Sequence, residues 1–173
     1  MKKLVLLVAT IFMVTFASNN VQAQTRIGKD HVVDMGIHYG YGSGHLANFM
    51  GINLDFNAAK SNFRVRADFD ALQRPVKDSP MVLGASFNAQ YLFPLVKEDA
   101  DGFYLYPSIG LAGDYHRPAS GWGEKNWGFG FNLGGGAEYQ FAEKWAFFME
   151  GAYQVRIQNE SHVGVMIGFS FAL

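Results

Sequence analysis

The sequence predicts an all-β protein: an eight-stranded antiparallel up-and-down β-barrel that spans a membrane. From Leu46 to the last residue, bulky apolar residues alternate with glycine, small polar or charged residues, which is the period of a β-strand, and an earlier segment from Val33 to Tyr41 alternates in the same way. The alternation recurs in seven clear segments and one weaker one, each of about 9–12 residues, which is the length of a tilted strand in a bilayer. Cysteine is absent, so no disulfide framework holds the chain together.

The N-terminal segment indicates export. Met1, Lys2 and Lys3 precede an apolar run from Leu4 to Ala17, and a polar stretch then ends at Ala23. This order is typical of a secretory signal peptide, and the apolar run is shorter than the roughly 20 residues of a transmembrane helix. We therefore predict a cleaved signal peptide at residues 1–23 and one barrel domain at residues 24–173. The formal net charge of −1 gives no sign of nucleic-acid binding.

The eight segments differ in how sharply they alternate. The third is the sharpest, because its two arginines and two aspartates all fall on one parity between Phe63 and Ala71. The sixth is the richest in glycine, and the fifth contains Pro107, which predicts a bulge or irregular pairing in a closed barrel. In chain order the apolar parities run from Val33 to Tyr41, Met50 to Phe56, Phe63 to Ala71, Leu83 to Tyr91, Phe103 to Leu111, Trp127 to Tyr139, Trp145 to Val155 and Val163 to Leu173.

Composition decides which parity faces inward. A soluble lipocalin-like barrel also alternates, but its polar side is solvated and would be rich in Lys, Glu and Thr. Here the polar parity is dominated by Gly, Asn, Ser and Ala, which suit a narrow lumen. The apolar parity carries large aromatic residues near the segment ends, as in the aromatic girdles of membrane barrels. The predicted girdle residues are Tyr41, Tyr91, Phe103, Tyr115, Trp122, Trp127, Tyr139, Trp145 and Phe171.

The chain resembles the small outer-membrane barrels of the OmpA/OmpX/opacity-protein type across essentially its mature length. The residues that carry the resemblance are Phe103 to Gly113, Gly134 to Tyr139 and Trp145 to Tyr153. The resemblance implies a monomeric barrel, without a peptidoglycan-binding domain, in the outer membrane of a Gram-negative-type cell. Its expected partners are outer-membrane lipid and lipopolysaccharide, with periplasmic chaperones and the outer-membrane assembly machinery during biogenesis. Both termini would then face the periplasm.

The polar parity predicts a luminal ion-pair network. An eight-stranded lumen is just wide enough for side chains to fill, and charges confined there must pair or change protonation. We expect Arg64 and Arg66 to point across the lumen at Glu150, and Asp55 to lie close to Arg64. Relatives of this type commonly have such salt-bridged interiors. The full predicted set is Asp34, Asp55, Arg64, Arg66, Asp68, Asp70, Glu138, Glu150 and Arg156.

A few loop residues support an enzymatic hypothesis. His45, with Asp78 and Ser79, could support acyl transfer by an activated hydroxyl. Lys77-Asp78-Ser79 resembles the loop signature of lipid A palmitoyltransferases, but Asp-Ser before Pro80 is also ordinary turn chemistry. His116 with Ser120 is no stronger, and His162 is followed by Val163-Gly164, which offers no neighbouring serine for a deacylase.

No cofactor or metal site is predicted, because the five histidines occupy five different segments without ligand spacing. We therefore expect a non-enzymatic barrel with a plugged polar lumen that serves envelope structure or surface contact. The main alternative is a narrow porin-like channel for ions or small molecules, and the minor one is a lipid A acyltransferase. Loop residues 42–46, 72–80, 116–126 and 158–162 would face the environment, whereas residues 58–62, 94–102 and 142–144 would form the opposite turns.

Overall fold

The computed structural model describes residues 32–43, 48–58, 61–73, 82–97, 102–116, 126–157 and 161–173. The predicted signal peptide at residues 1–23 lies outside these ranges. Within them, no helix is long and apolar enough to cross a membrane. The strands are β1 (Val33–Gly42), β2 (Asn48–Asn57), β3 (Phe63–Gln73), β4 (Val82–Tyr91), β5 (Phe93–Lys97), β6 (Gly102–His116), β7 (Asn126–Gln140), β8 (Trp145–Arg156) and β9 (His162–Ala172).

The strands form one closed antiparallel sheet. β1 pairs with both β2 and β9, and β6 pairs with β4, β5 and β7, so no edge remains. β5 continues the line of β4, so the nine strands occupy eight positions around the barrel. The predicted eight-stranded antiparallel barrel is therefore confirmed. We call the end where β1 begins and β9 ends the terminal rim, and the other end the opposite rim.

Side chains alternate between lumen and exterior as the sequence predicts. Ile37 is 64% exposed, whereas the next residue, His38, is 4% exposed. This pattern holds around the barrel, because successive residues of a strand point to opposite faces of the sheet. The exterior is a continuous apolar surface, and the buried side chains are mostly polar or charged. Such an arrangement is typical of membrane-spanning barrels and the reverse of a soluble one.

The pairing between β4 and β6 is interrupted opposite Pro107. The regular ladder ends at the pair Gln90 and Ser108, and pairing resumes between Phe93 and Leu105. Proline has no N–H group to donate to a neighbouring strand, and the N–H of Leu92 instead donates to the carbonyl of Asn62 at 2.9 Å. The irregularity expected at Pro107 is therefore present.

β5 shortens the turn that the sequence predicts at residues 94–102. Phe93 and Pro94 pair with Leu105 and Tyr104, and the register then shifts by one residue before Val96. Four residues assigned to the turn, 94–97, therefore belong to a strand. The prediction was wrong here because the shift breaks the simple alternation by which strands were recognised.

Glycines on the inward parity make room for large luminal side chains. A Cβ atom at Gly168 would lie 2.5 Å from Cζ of Phe148, and one at Gly136 would lie 2.6 Å from the ring of Tyr106. Both aromatic side chains are fully buried. Because a narrow lumen must be filled without overlap, the glycine at position 136 of β7 leaves room for Tyr106 on its neighbour β6.

Candidate functional site

Arg66, from the middle of β3, forms the centre of the luminal network. Its Nε and Nη2 atoms donate to the two carboxylate oxygens of Asp55 at 2.7 and 2.8 Å. This fork forms because Asp55 on β2 lies directly opposite Arg66 in the register. The remaining Nη1 atom reaches across the lumen to Oε2 of Glu150 at 3.2 Å. A bidentate guanidinium–carboxylate contact is both strong and directional, so Arg66 is held in one position.

Arg64 forms a parallel set of contacts one step nearer the terminal rim. Its Nη1 atom lies 2.6 Å from Oε2 of Glu138 on β7 and 3.5 Å from Asp55. Its Nε atom donates to Oε1 of Gln90 at 2.7 Å. Both arginines are 0% exposed. Two fully buried guanidinium groups therefore bridge β3 to strands on the far side of the barrel.

Glu150 joins the two arginine systems. In addition to Arg66, its Oε2 atom accepts hydrogen bonds from Nε2 of Gln90 and from the hydroxyl of Tyr106, both at 3.1 Å. The connected residues, which we call the central network, are Asp55, Arg64, Arg66, Gln90, Tyr106, Glu138 and Glu150. They come from β2, β3, β4, β6, β7 and β8, so one hydrogen-bonded network connects strands around most of the barrel.

Aromatic rings fill the space around the guanidinium groups. Cζ of Arg66 lies 4.1 Å from the ring centre of Phe148, and Cζ of Arg64 lies 5.1 Å from that of Tyr106. Cations over aromatic faces are attracted by the ring quadrupole. Charges, amides and rings together occupy one level of the lumen, where the arginine side chains have no contact with solvent.

A second polar group, the opposite-rim cluster, lies nearer the other end of the lumen and comprises His38, Asp68, Asp70, Ser86, Asn88 and Asn132. Nε2 of His38 lies 2.6 Å from Oδ1 of Asp70. Oδ2 of Asp68 accepts from Ser86 at 2.9 Å and from Asn88 at 3.0 Å. A partly open cavity of about 30 Å³ adjoins the cluster, and Asp70, Ser86, Phe49, Gln154 and Arg156 are among its lining residues.

The structure distributes the nine predicted network residues over four places. Asp55, Arg64, Arg66, Glu138 and Glu150 lie in the central network, whereas Asp68 and Asp70 belong to the opposite-rim cluster. Arg156 forms an ion pair with Asp114, a residue that the sequence analysis missed. Asp34 is buried near the terminal rim and accepts a hydrogen bond from Asn57 at 2.9 Å.

Two expected contacts are different in the structure. Arg64 does not reach Glu150 but pairs with Glu138, because Gln90 lies directly opposite Arg64 and itself donates to Glu150. Asp55 lies closer to Arg66 than to Arg64, since Arg66 is its direct partner in the register. The missed residue Asp114 continues the inward parity of β6, so extending that segment by two residues would have found it.

The predicted girdle residues lie at the two rims on the outer surface, apart from Trp122, which is outside the described residues. Tyr115 and Trp127 pack together at the opposite rim with ring centres 4.9 Å apart and ring planes tilted by 49°. At the terminal rim, Trp145 and Phe171 pack at the same distance with a tilt of 56°. Tyr41 lies at the opposite rim, and Tyr91, Phe103 and Tyr139 lie at the terminal rim.

The residues of the enzymatic hypothesis are His45, Asp78 and Ser79, and all three lie outside the described residues, as does Ser120. His162 is buried in the first position of β9. In the described ranges, no group of three or more His, Cys, Asp or Glu side chains could hold a metal ion.

Three solved structures with similar folds are outer-membrane barrels. The N-terminal β-barrel domain of Pseudomonas aeruginosa OprF has a TM-score of 0.58 and 19% identity, covering 80% of this chain and 97% of that domain. The attachment invasion locus protein Ail of Yersinia pestis has a TM-score of 0.54 and 16% identity, covering 82% and 97%. The outer membrane enzyme PagL has a TM-score of 0.54 and 13% identity, covering 81% and 99%.

These likenesses are structural only. No protein-family model matches the sequence, and no curated protein is detectably similar to it. The identities to the solved barrels are too low to transfer an activity, and the three structures include both an outer membrane enzyme and an attachment invasion locus protein. The closed sheet, the apolar exterior and the three similar structures agree, however, with the resemblance seen in the sequence. The chain has the fold of the small eight-stranded outer-membrane β-barrels.

Proposed function

We propose that this chain is a monomeric, integral outer-membrane protein whose lumen is plugged, and that it serves envelope structure or surface contact without catalysis. The observation that carries the proposal is the complete burial of Arg64 and Arg66. Both ends of a barrel are open to water in principle, so a continuous aqueous path beside these side chains would leave them partly exposed. Fully buried and ion-paired guanidinium groups are what a closed lumen requires.

The exterior supports residence in the outer membrane. Large apolar side chains cover the outside of every long strand, and pairs of contacting aromatic residues mark both rims. This surface fits lipid and lipopolysaccharide as surroundings. Export through the N-terminal signal peptide and delivery by periplasmic chaperones and the assembly machinery belong to the same proposal.

The rival function is a narrow channel. It is favoured by the partly open cavity at the opposite rim, which would be the vestibule of a pore if the central network could rearrange. The ion pair between Arg66 and Glu150, at 3.2 Å, is one of the two bridges across the lumen that would have to open, and the other is Arg64 with Glu138 at 2.6 Å.

Planar-bilayer conductance separates the two functions. The refolded parent barrel should be silent, and Glu150→Ala should conduct, because it removes the acceptor that joins Arg66, Gln90 and Tyr106. The matched control is Met149→Ala, the neighbouring residue on β8, which faces lipid and is 55% exposed. This control should stay silent. Steady conductance by the parent, unchanged in Glu150→Ala, would contradict the plugged lumen and support a channel function.

A further inference from the structure

Carboxylates outnumber basic groups in the described part of the lumen. The acids are Asp34, Asp55, Asp68, Asp70, Asp114, Glu138 and Glu150, and the arginines are Arg64, Arg66 and Arg156. Most of these acids have an arginine or histidine partner or lie at a rim. Because an uncompensated buried charge is strongly unfavourable, an acid that lacks a basic partner marks a place where another cation could be held.

Asp68 is such an acid. It is 3% exposed and forms no ion pair within the described residues. Its Oδ2 atom accepts from two neutral donors, Ser86 and Asn88, whereas its Oδ1 atom is buried without a hydrogen-bond partner in the described part of the chain. The basic groups whose charges act on it are Arg66 and His38, and each of these already contacts another carboxylate.

Two further luminal side chains carry buried oxygen atoms that no described residue engages. Asn53 lies directly opposite Asp68 in the register and is 0% exposed, and neither atom of its amide group has a hydrogen-bond partner in the described ranges. Directly opposite residues have Cβ atoms about 4.5–5.5 Å apart. Asn132 donates to Oδ1 of Asn88 at 3.1 Å, and its own Oδ1 atom is buried and unpartnered by any described residue.

The composition of this group selects the class of ligand. Carboxylate, amide and hydroxyl oxygens are ligands of hard cations. A single carboxylate balances one positive charge, whereas calcium sites usually combine several acidic ligands. The set also contains no thiol or imidazole, which argues against a transition metal. A small monovalent cation is therefore the best match in charge and chemistry.

The cavity at the opposite rim provides the approach to this position. It has a volume of about 30 Å³ and is lined by Ser86, which hydrogen-bonds to Asp68, and by Asp70. A cavity of that size admits about two water-sized particles. A sodium-class ion that has lost most of its hydration shell could therefore approach from the opposite rim without disturbing the central network.

We propose that Asp68, Asn53, Asn132 and Ser86 form a binding site for one sodium-class cation inside the lumen. The cation is held by Oδ1 of Asp68 and by the side-chain oxygens of the other three residues. The cation neutralises the carboxylate of Asp68, which has no arginine partner among the residues that the structure describes. It also holds the side chains of the opposite-rim cluster in position, as the arginines hold those of the central network.

Cation-dependent thermal unfolding of the refolded barrel tests the site. The parent is measured in detergent at pH 8 in sodium chloride and in choline chloride of equal ionic strength, because choline is too large to enter. We expect the unfolding temperature to rise by about 3–5 °C for each tenfold increase in sodium above its Kd. Asp68→Asn should abolish the difference between the two salts, and Asn53→Leu should shift the response to higher sodium.

The control is Asp34→Asn, which removes another buried luminal carboxylate but lies near the terminal rim; it should keep the full sodium response. Equal unfolding temperatures of the parent in both salts would overturn the site and would indicate that Asp68 is protonated or hydrated instead. A sodium response that survives in Asp68→Asn would also overturn it. If the Asp68 variant does not refold, the comparison of the parent in the two salts and the Asn53 variant still test whether the cation site exists.

Discussion

Replacing Arg66 by methionine should strongly destabilise the barrel. Methionine keeps a similar length without the charge, so the volume of the lumen stays nearly filled. The substitution removes the fork to Asp55, the contact to Glu150 and the cation–π contact with Phe148. What remains is a pair of buried carboxylates without their shared cation.

The expected loss in the free energy of unfolding follows from leaving Asp55 and Glu150 buried without the charge of Arg66. Removing one partner of a buried ion pair costs about 3–5 kcal/mol, because the other charge stays buried and uncompensated. Glu150 keeps its neutral donors Gln90 and Tyr106, and Arg64 still lies 3.5 Å from Asp55. These contacts reduce the cost, so a loss of about 3 kcal/mol is expected for Arg66→Met.

Urea unfolding of the refolded barrel in detergent gives the measurement. With a slope of about 2 kcal/mol per molar, a loss of about 3 kcal/mol lowers the midpoint by about 1.5 M. Lys144→Met removes another cation at the exposed terminal rim and is the control. It should change the free energy of unfolding by less than about 0.5 kcal/mol.

A second variant separates charge from packing. Adding Asp55→Asn to Arg66→Met removes one of the two stranded carboxylates, so the double variant should be about 1–2 kcal/mol more stable than Arg66→Met alone. The reasoning is refuted if Arg66→Met unfolds within about 0.3 M urea of the parent. It is also refuted if the double variant is less stable than the single one.

Two further predictions concern packing and the exterior. Gly168→Ala places a Cβ atom 2.5 Å from Cζ of Phe148 and from the carbonyl oxygen of Ile37, so it should cost about 1–3 kcal/mol in urea unfolding. Gly151→Ala should cost less, since nothing lies nearer than 3.7 Å, and equal losses would contradict the filled lumen. Leu133→Arg, in mid-strand on the lipid face, should cost about 2–4 kcal/mol in a bilayer, whereas Val163→Arg, near the opposite rim, should cost about 0–1 kcal/mol. The reverse order would contradict the assigned depth.

The fold was predictable from the sequence because strand periodicity is local. Alternate residues of a strand point to opposite faces of the sheet, so each face can be recognised from every second residue. The small polar residues of one face identify the lumen. The third segment shows this directly: Arg64, Arg66, Asp68 and Asp70 lie on one parity, and all four side chains point inward. The interruption opposite Pro107 was also foreseeable, because it follows from the missing N–H group of proline.

The pairing of luminal charges was less predictable because it depends on register and on the position of third residues. Arg64 reaches Glu138 and not Glu150 because the intervening Gln90 occupies the direct path. Phe49 was not identified as luminal, although its ring fills the space over Gly40. It continues the inward parity at the very start of β2, where an end residue gives little periodic signal.

The central claim is that the lumen of this barrel is closed by its own arginines. The most direct measurement is a planar-bilayer recording of the parent beside Arg64→Ala/Arg66→Ala, reconstituted at the same protein-to-lipid ratio. The plug predicts a silent parent and a conducting double variant, because both bridges across the lumen are then absent. A parent that conducts as readily as the double variant would contradict the plug and establish an open pore.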